Sequence, residues 1–166
     1  DASNASRTSL MALDGQDWDP EMLDLFGVPE TALPAIVDSY GCYAKTQPGL
    51  FSVALPICGM AGDQQAATIG QARLTTGETK ATFGTGAFIL SNSGTAVPTS
   101  ANRLLSTVLF QENDVRHYAL EGSVFVAGSL IQWMRDGLGI LQTAAETAQL
   151  AASVPDNGGV VIVPAL

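Results

Sequence analysis

Strand-like segments follow one another through the second half of the chain and are succeeded by helix-like ones. Residues 79–91 contain two strand-like segments on either side of a glycine-rich turn, which predicts two strands joined there. Residues 104–110 and 116–120 predict two more strands. Apolar residues at helical spacing predict a helix over 125–138, and an Ala-rich segment predicts another over 143–153. A last apolar run, 160–163, predicts a final strand. The chain is therefore expected to have an α/β fold.

The first half of the chain is dominated by helix and loop patterns. Asp19 as a cap, Pro20 in the first helical position and Gly27 as a stop predict a short helix between them. Residues 54–60 form a short apolar run that predicts a buried strand, and a helix follows over 64–71. Because the pattern changes near residues 70–78, we predict a domain boundary there.

Composition limits the function classes. With 46% hydrophobic residues the 166-residue chain can bury a core, and its net charge of −9 argues against nucleic-acid binding. No apolar run approaches the roughly 18 residues that a membrane span needs. Cys42 and Cys58 match no metal-site or disulfide spacing, so a cytoplasmic location is expected. The chain has no initial Met and stops just after an apolar run, so we expect a piece of a longer protein.

Asp63 is the first candidate functional residue. It follows a strand that ends in glycines and opens the next helix, and open α/β sheets bind ligands beyond such strand ends. A carboxylate there can accept a proton from a substrate hydroxyl. The alternative is that Asp63 simply caps the helix, which is the commoner role for Asp at such a position.

Gly84, Thr85 and Gly86 form the second candidate. Two glycines around a threonine at a hairpin turn allow backbone N–H groups and a hydroxyl to converge on an anion. The alternative is a tight turn that needs glycine for its backbone dihedrals. The segment is not a P-loop, because no Lys follows the glycines.

Gly128 marks the third candidate, since glycine costs a helix about 1 kcal/mol relative to Ala and so suggests a close neighbour. That neighbour is either another helix or a ligand. Gln132 is either a surface residue or a ligand contact. Phe125 and Trp133 are better explained as core than as a cofactor surface, and His117 as a solvated strand position. Cys58 is best explained as a small buried apolar side chain.

Six short segments, taken in order, resemble the glycerol kinases, which belong to the carbohydrate kinase family with the actin-like ATPase fold. They are NASRT at 4–8, DWD at 17–19, GDQQAA at 62–67, FGTG at 83–86, YALEG at 118–122 and IQW at 131–133. The resemblance implies a fragment of an actin-like (ribonuclease H-like) two-domain kinase. Residues 1–70 would end the first, substrate-side domain, and residues 71–166 would begin the second, nucleotide-side domain.

The resemblance also implies roles for individual residues. Asp63 is similar to the family's catalytic base and substrate ligand. The implied polyol contacts are Gln64 and Phe88, and the implied nucleotide contacts are Gly84, Thr85, Gly86, Gly128 and Gln132. The implied reaction is ATP-dependent phosphorylation of glycerol to glycerol 3-phosphate with Mg²⁺. The alternatives are another polyol or sugar as acceptor, or a non-catalytic nucleotide-binding module.

Several family motifs lie outside this sequence. The first hairpin with its Mg²⁺-linked Asp, the Arg-Glu pair that grips the polyol and the Gly-rich adenosine segment are not among the 166 residues. The isolated chain is therefore expected to be inactive, although the parent protein is expected to bind glycerol and ATP or ADP. No nucleic-acid partner and no membrane span are expected, and a homo-oligomer is left open.

Overall fold

The computed structural model describes residues 1–164, which form both helices and strands. In chain order these elements are α1 (Ala2–Ala5), α2 (Pro20–Phe26), a 3₁₀ turn (Glu30–Ala32), β1 (Tyr40–Lys45), β2 (Pro56–Gly59), α3 (Asp63–Gly70), β3 (Thr79–Phe83), β4 (Ala87–Gly94), β5 (Leu105–Glu112), β6 (Val115–Val124), α4 (Gly128–Asp136) and α5 (Glu146–Ala152). The chain thus has the mixed α/β character that the sequence predicts.

The main sheet has four strands in the order β3-β4-β6-β5. β5 and β6 pair in antiparallel fashion, with Leu105 opposite Glu121 and Glu112 opposite Val115, and the register shifts between Val108 and Phe110. These four strands confirm the strand predictions between residues 79 and 120. β1 and β2 form a separate two-stranded antiparallel sheet.

The described residues form two compact units. The first comprises residues 1–80 and 89–122, and the second comprises residues 81–88 together with those from 123 onward. The core of the first unit has two clusters, which are Ala2, Ala5, Met11, Val108 and Tyr118, and Leu90, Leu109, Phe110 and Ala119. These units group residues by contact within the described chain, and the boundary between residues 70 and 78 stays a prediction.

The caps of α2 follow the sequence prediction closely. The Asp19 carboxylate accepts hydrogen bonds from the backbone N–H groups of Glu21 (2.9 Å) and Met22 (3.3 Å). Pro20 occupies the first turn, where its missing N–H costs nothing. Gly27 ends the helix with a φ of 66°, a left-handed conformation that glycine adopts readily. Local side-chain chemistry therefore sets both ends of this helix.

The prediction of a buried strand over 54–60 is wrong about burial. β2 exists, but all four of its residues are exposed, including Cys58. The physical reason is that β2 pairs only with β1 in a two-stranded sheet, so no second layer covers it among residues 1–164. Partial desolvation, then the charge of the neighbouring Cys42 and a hydrogen bond with its side chain, raise the pKa of the Cys58 thiol.

Several predictions near the end of the chain also need correction. β6 continues to Val124, so α4 begins at Gly128 instead of residue 125, and α5 begins at Glu146 instead of residue 143. Phe125, predicted as core, is 78% exposed in the connection before α4, and Trp133 is also exposed. Residues 160–163 are exposed and form no strand, because no described strand pairs with them.

The helices within residues 1–164 are short, and none has the length and apolar character needed to cross a bilayer. The longest, α4, has nine residues.

Candidate functional site

Asp63 is the first residue of α3 and not its N-cap. Gly62 occupies the cap position with an extended backbone, and no side chain caps the helix there. The exposed Asp63 carboxylate instead accepts a hydrogen bond through Oδ1 from the neighbouring backbone N–H of Gln64, at 2.8 Å. The capping alternative is therefore wrong in its geometry. What remains is a solvent-facing carboxylate on the first residue of the helix.

The start of α3 is fixed by contacts within the first unit. The Gly62 N–H donates to the Ser3 hydroxyl at 3.0 Å, and the buried Gln65 amide donates to the Val108 carbonyl at 3.4 Å. A Cβ at Gly62 would lie 2.4 Å from Gln65 Oε1. A larger side chain at position 62 would therefore force the Gln65 amide to move. The anchored helix start holds Asp63 in place. The sequence pattern did not indicate the role of Gln65, since it depends on a strand 43 residues away.

Lys80 lies beside this helix start and was missed by sequence reasoning. Its side chain is buried, with 2% relative exposure, and its Nζ donates a hydrogen bond to Gln64 Oε1. The Gln64 Nε2 group in turn donates a long hydrogen bond, 3.5 Å, to Asp63 Oδ2. Burial lowers the pKa of Lys80, while the charges of Asp63 and Glu121 act in the opposite direction.

Glu121 is the second carboxylate of this polar cluster. It is 4% exposed, and its two oxygens accept hydrogen bonds from Arg7 at 2.8 and 3.3 Å. Such a two-point pair suits the planar guanidinium and partly compensates for burying the carboxylate. Arg7, Asp63, Gln64, Lys80 and Glu121 therefore form one polar cluster within the first unit.

The turn between β3 and β4 is shaped by a close approach and not by unusual dihedrals. Neither Gly84 nor Gly86 has a positive φ, so the turn does not need glycine for its backbone dihedrals, as the alternative supposed. A Cβ at Gly86 would lie 2.6 Å from the Val124 carbonyl oxygen, and one at Gly84 would meet nothing closer than 4.0 Å. Gly86 is thus required because the end of β6 runs directly against it.

The turn is also tied to the start of α4 by backbone hydrogen bonds. The Thr85 carbonyl accepts from the N–H groups of Ala127 (2.8 Å) and Ser129 (3.2 Å) and from the Ser129 hydroxyl (3.1 Å). The Gly84 carbonyl accepts from the Gly128 N–H at 2.9 Å. We call this group of contacts the hairpin clamp. A Cβ at Gly128 would lie 2.4 Å from the Gly84 oxygen, so the close neighbour of Gly128 is this turn.

The structure places the predicted site residues in two groups. Asp63 and Gln64 belong to the first unit. The second unit holds the others, which are Gly84, Thr85, Gly86, Phe88, Gly128 and Gln132. Within it, Thr85 and Gln132 are exposed and Phe88 is half-buried against Gly86. Residues 1–164 contain no group of three or more His, Cys, Asp or Glu side chains that could hold a metal ion.

The first unit also contains an apolar cavity of about 820 Å³, lined in part by Met60, Ile69, Phe110 and His117. His117 stacks on Phe110, with ring centroids 4.3 Å apart and an interplanar angle of 18°. His117 lies on β6, as predicted for a strand position, but its ring is half-buried and so less solvated than expected. Asp63 does not line this cavity, so the cavity is distinct from the polar cluster.

The sequence matches two domain families along its length. Residues 1–70 match the N-terminal domain, and residues 79–166 the C-terminal domain, of the FGGY family of carbohydrate kinases. The chain belongs to this family. Its α/β fold is accordingly that of a carbohydrate kinase fragment, consistent with the actin-like type.

The chain is similar to several glycerol kinases. The chain is 53% identical over 165 residues to the glycerol kinases of Rhodospirillum centenum and Oleidesulfovibrio alaskensis, and it spans 33% of their length. It matches the crystal structure of Plasmodium falciparum glycerol kinase with ADP at 35% identity and a TM-score of 0.90, again over 33% of that chain. A ligand-bound xylulose kinase from Lactobacillus acidophilus, 21% identical with a TM-score of 0.78, shares the fold.

Proposed function

We propose that the protein to which this chain belongs transfers a phosphoryl group from ATP to glycerol, giving glycerol 3-phosphate. The observation that carries the proposal is the exposed Asp63 carboxylate at the start of α3, with the Gln64 amide beside it. These two residues lie in the GDQQAA segment of a chain that is about half identical to glycerol kinases.

Asp63 acts as the general base in this proposal. Its carboxylate accepts the proton of the attacking hydroxyl, which makes the oxygen a better nucleophile toward the γ-phosphorus of ATP. Gln64 presents its amide N–H group to a substrate oxygen, because its own oxygen is already bonded to Lys80. Phe88 supplies an apolar contact for the carbon skeleton of the polyol.

The hairpin from Gly84 to Gly86 is the proposed contact for the ATP phosphates. Small residues let the backbone approach an anion closely, and the exposed Thr85 hydroxyl is available as a donor. Gly128 contributes by keeping α4 against this hairpin, and the exposed Gln132 is a further nucleotide contact. The hairpin clamp supports this phosphate-binding role, because it holds the turn in a defined shape.

Mg²⁺ enters the proposal as the ion that neutralises charge on the transferring phosphoryl group. No cluster in residues 1–164 provides three or more acidic, His or Cys ligands, so we assign it no ligand set here. The cytoplasm is the proposed location, where two exposed free thiols such as Cys42 and Cys58 stay reduced.

The test is a substrate comparison with the purified full-length parent. ADP release is coupled to NADH oxidation, with glycerol, xylulose and other polyols or sugars offered in turn with Mg²⁺ and ATP. We expect the highest kcat/KM with glycerol. A higher kcat/KM for another acceptor would support the alternative kinase, and ATP binding without acceptor-dependent ADP release would support a non-catalytic nucleotide-binding module.

A further inference from the structure

Lys80 is a buried cation that enters the proposed mechanism only through its hydrogen bond to the Gln64 amide oxygen. Its side chain is among the largest fully buried ones in the described chain, although lysine is rarely buried without a partner. Its burial is therefore expected to be compensated by fixed polar neighbours. The Gln64 side-chain oxygen is one such neighbour, and the carboxylates of Asp63 and Glu121 supply opposite charge.

The chemistry of this contact determines which way the Gln64 amide faces. An ammonium group has only donors, so it must bond the amide oxygen and never the amide nitrogen. With Oε1 held by Lys80, the NH₂ group is directed toward Asp63, where Nε2 lies 3.5 Å from Oδ2. A flipped amide would place Nε2 against the ammonium group and Oε1 against a carboxylate, so two repulsive contacts would replace two favourable ones.

The surrounding charges stabilise the ammonium form that this orientation requires. Asp63 on α3 and Glu121 on β6 both favour the charged form of Lys80, and Glu121 is itself held by Arg7. Burial acts against them and lowers the Lys80 pKa from its usual value of 10.5. Lys80 therefore loses its proton at a lower pH than an exposed lysine, although the two carboxylates oppose that loss.

We propose that Lys80 is a positioning residue for phosphoryl transfer, which fixes the Gln64 amide so that its N–H group faces Asp63 and the substrate hydroxyl. The inference rests on the proposed kinase function, because Lys80 acts only through Gln64 and Asp63. Loss of the lysine would let the amide rotate, and misplacing a group by about 1 Å at a reacting centre can cost roughly 100-fold in rate.

The principal test is a double-mutant cycle in the full-length parent, using Lys80→Met, Gln64→Met and the double variant. We expect each single variant to lower kcat about 10- to 100-fold while the KM for ATP stays within about twofold. The double variant should lose no more than the worse single one, because Lys80 has nothing to orient once the amide is gone. Lys45→Met, which removes an exposed lysine of β1, is the matched control and should keep wild-type kcat.

A structural role alone gives a different pattern. The losses in kcat would then multiply in the double variant, or the variants would lower thermal stability without lowering kcat, and either result overturns the inference. The kinetics of the wild-type parent distinguish failure of the Lys80 inference from failure of the proposed kinase function. A wild-type parent with no glycerol-dependent ADP release refutes the kinase proposal, whereas an active parent with multiplicative losses refutes only the role of Lys80.

If Lys80→Met does not fold, the pH dependence of kcat tests the role of Lys80 instead. Deprotonation of Lys80 weakens its hold on Gln64, so wild-type kcat should fall on an alkaline limb below the usual lysine pKa of 10.5. Gln64→Met should lack that limb, because its activity no longer depends on the amide orientation. A flat wild-type profile up to that pH, or the same limb in both proteins, overturns the inference.

Discussion

Replacing Gly128 with alanine tests the hairpin clamp most directly. The added Cβ would lie 2.4 Å from the Gly84 carbonyl oxygen and 3.2 Å from its carbon, both of them backbone atoms that cannot rotate away. An ordinary contact of this kind is about 1 Å longer, so the hairpin and the start of α4 must separate. The Gly128 N–H donates to that same oxygen, so the displacement also weakens the contact that joins the two elements.

The size of the effect follows from what the clamp contains. Four hydrogen bonds join the two elements, and each contributes about 1 kcal/mol net. Overpacking typically destabilises a protein by about 1–3 kcal/mol. The higher helix propensity of Ala stabilises a helix by up to about 1 kcal/mol. Gly128 is the first residue of α4, where helix propensity contributes less than in the helix interior, so this stabilisation is small. We expect a net local destabilisation of about 1–3 kcal/mol.

The assay is NMR-detected hydrogen exchange in the isolated 166-residue chain. A tenfold change in exchange corresponds to about 1.4 kcal/mol, so the Ala127 and Ser129 amides should exchange roughly 5- to 150-fold faster in Gly128→Ala. Gly70→Ala is the matched control, since it also adds a Cβ within a helix but meets nothing within 4 Å. Unchanged exchange at Ala127 and Ser129 in Gly128→Ala would refute the clamp.

Three further predictions concern activity and pH. The isolated chain, which spans a third of its glycerol kinase relatives, should show no ATP-dependent glycerol phosphorylation in a coupled assay, and repeated turnover would contradict this. In the parent, Thr85→Val should raise the KM for ATP or lower kcat without unfolding, and wild-type ATP kinetics would leave Thr85 as a turn residue only. Backbone N–H of Gln142, then the side chain and backbone of Thr143, lower the pKa of Glu146 from 4.5. The stabilisation of α5 is therefore present above pH 4.5 and lost as pH falls through the lowered pKa. The protection factors of the α5 amides, which correct for the intrinsic pH dependence of exchange, should therefore fall on acidification in the wild type but not in Glu146→Gln.

Sequence reasoning succeeded where local chemistry decides the structure. The ends of α2 depend on Asp19, Pro20 and Gly27, which act within a few residues of themselves, and the structure confirms all three. The strands between residues 79 and 120 were likewise predicted from strand-like segments and the glycine-rich turn between the first two. In each case the interaction that fixes the element lies close along the chain, so one stretch of sequence contains the necessary information.

Failures arose where distant parts of the chain decide the outcome. An apolar strand such as β2 is buried only if another layer packs on it. The local sequence does not predict whether such a layer is present. Lys80 was overlooked because its burial and its bond to Gln64 join residues 16 positions apart. For Gly128, the sequence indicated a close neighbour but not that the neighbour would be the Gly84 carbonyl.

The substitution Asp63→Asn in the full-length parent tests the central claim, which is that Asp63 is the general base. Asn keeps an oxygen that can accept from the Gln64 N–H, and the side chain is exposed, so the melting temperature should hardly change. Asp19→Asn is the matched control, because it alters a carboxylate at another helix start and Asn caps about as well as Asp. Removal of a positioned base should lower kcat about 10²- to 10⁴-fold in Asp63→Asn, with wild-type kcat in Asp19→Asn. A near-normal kcat in Asp63→Asn would contradict the assignment.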